Sequence, residues 1–297
     1  MRWRLSGRPA VEHASAPRQE VRRRSGTAEA FFRTDGDDSK PVIVVHHIQK
    51  TAGTSLRRVV RLNLPPAEVE FDPTLRSVSR TRSKLLAWHR AWYESLDQDR
   101  RARLCCVMSH WAGYLLPLLD RPADALSLVR EPVDRTLSYY YFKQRRRGPD
   151  RPLPPLGELY ERGAAGSLGK PGNELWDQLC NWQSRALLSA FHDVSALERT
   201  AGPTADADLW RARLREIVEQ TYQLGVQDRF EEYVDLLAHR YGWQRIVPRS
   251  KVNALRPQER ISDELGATVI AYNWLDAELY ELAHRGQEQR EAELRAA

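Results

Sequence analysis

Cysteine and methionine are scarce in this chain, with three and two among 297 residues. Cys105, Cys106 and Cys180 form no CxxC pair and have no histidine at ligand spacing, which argues against a structural zinc site and against a disulfide framework. A reducing, cytoplasmic setting is the expectation. No apolar run approaches the ~20 residues that a membrane-crossing helix needs, so the chain reads as soluble, with no membrane span. No internal repeat is evident. Residues 1–39 lack the apolar h-region of a secretory signal, and Glu12, Glu20 and Glu29 weigh against a transit peptide. This Arg-rich, mixed-charge stretch is expected to be disordered, leaving residues 40–290 as a single domain.

What is present is a modest basic excess, 46 Lys and Arg against 40 Asp and Glu, for a net charge of +6. The basic residues are spread along the chain and are not gathered on one recognition helix. That balance favours an anionic partner, and nucleic acid is not required to explain it. With 41% hydrophobic residues, nine Trp and eleven Tyr, the chain has the material for a sizeable core.

The most specific stretch is Pro41 to Leu56, PVIVVHHIQKTAGTSL. The β-branched run Val42 to Val45 reads as a strand covered on both faces in a parallel sheet. The turn after it offers Lys50, Thr51, Ala52, Gly53, Thr54 and Ser55, and a helix over Leu56 to Leu62 aims its positive end at the same point. This is chemistry for a phosphate or a sulfate. The order of residues differs from G-x-x-x-x-G-K-[ST], because Lys50 precedes Gly53, and no apolar strand ending in Asp follows to hold magnesium. No metal is expected.

Further strands are expected at Leu104 to Met108, Ala125 to Val129 and Tyr222 to Val226, alternating with helices, so the fold class is α/β with a parallel sheet. The second strand delivers Ser109, His110 and Trp111 at the edge where such sheets bind ligands. The third runs into Arg130-Glu131-Pro132 and a helix over Val133 to Lys143, with Pro132 suited to a helix start. Residues 144–172 read as a long loop around a short helix near Leu156 to Glu161. Trp176 to Phe191, Leu209 to Glu219, a helix ended by Gly242 and a last one capped by Ser262 follow. His46 and His47, adjacent on a strand, face opposite ways and are not a metal pair. Tyr139 to Phe142 reads as core, and Arg145-Arg146-Arg147 as either a solvated loop or a contact for an anionic acceptor.

HIQKTAGTSL resembles the 5′-phosphosulfate loop of sulfotransferases that use 3′-phosphoadenosine 5′-phosphosulfate (PAPS), and LSLVREPVDRTLSYYYF resembles their 3′-phosphate segment. The likeness is greatest to heparan sulfate 2-O-sulfotransferase and its relatives, and YQLGVQDRFEEYVDLL extends it. The resemblance implies a P-loop-like parallel sheet flanked by helices. It implies that Lys50, Thr51, Ala52, Gly53, Thr54 and Ser55 wrap the phosphosulfate, that Arg130 and Ser138 hold the 3′-phosphate, and that Arg249, Ser250 and Lys251 close over the nucleotide. His110 stands where the family has its base, and Lys50 stabilises the leaving group. The acceptor would be a hydroxyl, on a polysaccharide or other glycan, as carbohydrate sulfation. The family has proline before the lysine where this chain has Gln49, which is expected to loosen the turn slightly. A nucleotide kinase or NTPase, and a non-catalytic nucleotide-binding module, stand as alternatives.

Overall fold

The computed structural model describes residues 29–33, 40–64, 70–71, 81–168, 174–197, 199–248 and 261–296. Its centre is a sheet of six strands: β1 (Glu29–Phe32), β2 (Val42–His46), β3 (Glu70–Phe71), β4 (Leu104–Ser109), β5 (Ala123–Val129) and β6 (Tyr222–Val226). They lie in the order β3-β1-β4-β2-β5-β6. β2 pairs in parallel with β4 and β5, and β5 with β6, while β1 runs antiparallel to β4. The parallel strands therefore all end on one edge, with His46 opposite Ser109.

The helices are α1 (Gly53–Asn63), α2 (Arg82–Ser95), α3 (Gln98–Arg103), α4 (Pro132–Arg147), α5 (Leu156–Ala164), α6 (Glu174–Leu179), α7 (Trp182–Leu188), α8 (Ala207–Gln220), α9 (Phe230–Tyr241), α10 (Asp263–Tyr272) and α11 (Trp274–Ala296). The pleat explains why β2 is apolar throughout. Ile43 and Val45 pack with Leu56 and Val60 of α1 and Tyr233 and Leu237 of α9, whereas Val42 and Val44 pack on the opposite face with Tyr93 of α2. Beside them, α7, α8 and α11 cover β5 and β6 around Trp210, Leu214, Leu275 and Leu279. A further cluster joins α4, α5, α6 and α10 through Tyr139, Tyr160, Trp176 and Tyr272. The three cysteines are buried free thiols. Among the described residues no helix is long and apolar enough to cross a membrane.

Four expectations are corrected. Residues 1–39 do not all stand outside the fold: Glu29–Phe32 is a strand, and buried Glu29 accepts from Arg61 and pairs with Arg57 at 3.0 Å, tying it to α1. Nor does residue 290 bound the fold, since α11 runs to Ala296. The segment after Lys143 is not loop at its start, because α4 continues through Arg145-Arg146-Arg147, cations that suit a helix C-terminus. The helices expected over Trp176 to Phe191 and after Ser262 are each broken by an asparagine, Asn181 in the left-handed region with φ 45° and Asn273 between α10 and α11. Their side chains offer backbone groups a partner that competes with the helix.

Phe32, fully buried under the Arg100 guanidinium at 4.6 Å, tests the membership of β1 in the core. Phe32→Ala is expected to cost ~3–5 kcal/mol in urea unfolding, and Leu62→Ala, at a position 51% exposed, no more than ~0.5 kcal/mol.

Candidate functional site

β2 hands the chain to a loop whose backbone is unusual: Lys50 (φ 74°) and Ala52 (φ 65°) both lie in the left-handed region without being glycine. Such residues cost on the order of 1–3 kcal/mol each and persist where surroundings fix them. A turn built this way gathers successive N–H groups around an anion. Thr51, fully buried, donates its hydroxyl to the Ile48 carbonyl at 3.0 Å, so it serves the loop from inside. The Gln49 carbonyl accepts from Arg135 Nε at 3.3 Å, and its Oε1 accepts from Gln178 Nε2 at 3.3 Å. Gln49 therefore anchors the turn, contrary to the expected loosening.

The two helix starts on this edge differ. At α4, Glu131 accepts from the N–H groups of Val133 at 3.0 Å and Asp134 at 2.7 Å, so that end supplies its own anion. At α1, the N-cap Ala52 makes no side-chain hydrogen bond to the helix and no acidic residue lies in the first turn. An external anion fits the second end.

Cations converge beside it. The Lys50 ammonium sits 4.6 Å over the Phe142 ring, and burial, then the charges of Arg145, Arg130 and Arg135, hold its pKa below the ordinary lysine value. On α4, Asp134, Ser138, Phe142 and Arg145 fall within about 80° of one another at about 100° per residue, so Ser138 shares the face that meets Lys50. Arg130 contacts Asp134 at 3.3 Å, yet its buried Nε finds no hydrogen-bond partner among the described residues. A guanidinium with a donor unspent, among neighbours of its own sign, suits a polyanionic ligand.

The histidines form the other half. His110 Nδ1 donates to the His47 carbonyl at 2.6 Å, which in the neutral ring leaves the lone pair on Nε2. The His47 and His110 rings lie against one another, tilted by 30°, with centroids 4.4 Å apart. Burial and the neighbouring charges push His47 well below its ordinary value and, by burial first, His46 down to about 3, so both are neutral. Fully buried His46 accepts from Tyr222 Oη at 2.9 Å and donates from Nε2 to the His110 carbonyl at 3.2 Å. Gly53 has no room for a side chain, since a Cβ there would lie 1.7 Å from His47 Cδ2. Its use is thus to admit the His47 ring.

Lys50, Thr51, Ala52, Gly53, Thr54, Ser55, His110, Arg130 and Ser138 are accordingly carried on one edge by β2, β4, β5 and the helices that follow. Arg249, Ser250 and Lys251 lie outside the described residues. Sequence reasoning missed Arg135, Phe142, Gln178 and Gln183. The first two sit inside the quoted motif, where an i, i+3, i+7 count from Arg135 through Ser138 to Phe142 would have found them, whereas Gln178 and Gln183 reach the site from a distant helical corner that carries no motif. Among the described residues no group of three or more His, Cys, Asp or Glu is placed to hold a metal. No family model matches the chain, and no curated protein matches it with significance.

Gly53→Ala should displace His47 and its contact with His110. The expected cost is ~1–3 kcal/mol in urea unfolding, together with weakened anion binding by calorimetry. Because Lys50 must be charged to attract an anion and its neighbours favour the neutral form, affinity should fall with rising pH before an ordinary lysine titrates. Lys50→Arg should remove that alkaline limb in a calorimetric pH series.

Proposed function

We propose that this chain is a sulfotransferase with a P-loop-like sheet, moving the sulfuryl group of PAPS to an acceptor hydroxyl, with a carbohydrate as the acceptor class. The observation that carries the reading is the pairing, on one sheet edge, of an uncapped helix N-terminus flanked by Lys50, Arg130 and Arg135 with a histidine whose Nδ1 is already spent on a carbonyl. The two resembling motifs supply the choice of PAPS over other polyanions, and carbohydrate rests on that resemblance too.

His110 Nε2 takes the proton of the acceptor hydroxyl while the acceptor oxygen forms its bond to sulfur and the bond from sulfur to the bridging oxygen breaks. Lys50 and the N–H groups at the start of α1 meet the negative charge left on the departing phosphate. Arg130 and Ser138 hold the 3′-phosphate, and His46 keeps the His110 peptide in place. The left-handed loop fixes these donors before substrate arrives, so little reorganisation is left for the reaction.

His110→Ala is expected to lower sulfuryl transfer by ~10²–10⁴-fold and to leave affinity for 3′-phosphoadenosine 5′-phosphate near wild type, as read by labelled-donor assay and calorimetry. Lost binding in that variant would sink the base assignment. Magnesium–ATP binding tighter than 3′-phosphoadenosine 5′-phosphate would favour a kinase instead. A panel of glycans, lipids and phenols read by mass spectrometry identifies the acceptor, and no turnover on any hydroxyl would leave a binding module.

A further inference from the structure

Gln183 is fully buried, and its carboxamide pairs with both backbone polar groups of a single residue. Oε1 accepts from the Arg130 N–H at 2.8 Å, and Nε2 donates to the Arg130 carbonyl at 2.8 Å. A neighbouring strand would make the same two bonds, but here a side chain makes them one residue beyond the end of β5 at Val129. The Arg130 peptide is thus held in extended register at the corner where its side chain turns toward the site.

Gln183 is itself fixed from behind. Asp276 accepts from the N–H groups of Gln183 at 3.0 Å and Ser184 at 2.7 Å, which caps α7. Asn181 Oδ1 accepts from the N–H groups of Leu275 at 2.9 Å and Asp276 at 3.2 Å, which serves the first turn of α11. The two helix starts hold one another. Five residues before Gln183, Gln178 accepts from Arg135 through its carbonyl and Oε1 and donates to Gln49, beside Lys50. One corner, residues 178–183, therefore braces both cationic ends of the site.

We propose that Gln183 is a positioning residue that gives the site its preference for a nucleotide bearing a 3′-phosphate, acting through Arg130. The proposal rests on the reading under Proposed function. Without the carboxamide the Arg130 N–H and carbonyl lose their partners, and the peptide shifts to recover them. The guanidinium moves with it, away from the distance set by the Lys50 loop. A ligand with an anion at each end senses that change, and a ligand with only the 5′ end does not.

The test compares 3′-phosphoadenosine 5′-phosphate with adenosine 5′-monophosphate, which differ only in the 3′-phosphate, by calorimetry on the full chain. Wild type should bind the first more tightly. Gln183→Ala should lose roughly tenfold or more for the first and keep its affinity for the second, and adding it to Arg130→Ala should change the ratio no further. Gln183→Met, close in size and without either hydrogen bond, should behave as the alanine variant does and stands in if that variant does not fold. An unchanged ratio in a folded variant, or equal loss for both ligands, overturns the role of Gln183 alone. A wild type that does not distinguish the two nucleotides overturns the donor assignment itself, and the inference with it.

Discussion

An arginine taken wholly out of water must find an acceptor for its N–H groups, and Arg135 finds its acceptors in the parts that make the site. Nε meets the Gln49 carbonyl beside Lys50, Nη1 and Nη2 meet Gln178 on α6, and its charge is felt at Asp276 on α11. Burial pushes its pKa down to about 10, still charged at neutral pH. The loop, α4, α6 and the start of α11 are thus fixed relative to one another by the demands of one guanidinium. Lys50 and Arg130 take their places in that frame. The left-handed residues of the loop are tolerable because this frame over-determines them.

The histidine row shows the same logic with neutral groups. Tyr222 donates to His46, His46 to the His110 carbonyl, and His110 to the His47 carbonyl, so the His46 and His110 rings each have their tautomer set by a neighbour. Gly113 makes room for this, since a Cβ there would lie 2.6 Å from both His46 Nδ1 and Tyr222 Oη. Burial prevents His46 and His47 from charging, which keeps two more positive groups out of an edge already crowded with cations. The positive charge of the edge therefore comes from Lys50 and the arginines and not from these two rings.

Much of this was legible in the sequence where local chemistry decides the outcome. The β-branched run 42–45, the arginine before Glu131-Pro132 and the glycine after Tyr241 each specify a local structure that neighbours reinforce. Legibility ended where a residue answers to a partner far along the chain. Glu29 reads as one charge in a polar stretch until Arg57 and Arg61 arrive, and Asn181 reads as a polar position on a helix until the start of α11 meets it. Gly53 reads as one member of an anion turn until the His47 ring, six positions before it, is seen to fill the space a side chain would need. Gln178 and Gln183 carry no motif because an amide is useful here only through what faces it.

The exchange of caps between α7 and α11 also sets an order of events. Asp276 follows all six strands of the sheet described, yet it holds Gln183, which holds Arg130 at the end of β5. The same late helix reaches back to β6, where Gln287 accepts from the Val226 N–H at 2.8 Å. During synthesis the sheet can therefore pair while the anion edge is still unfinished, and that edge matures only when α11 docks. The Arg130 corner is thus set by residues that are made well after it.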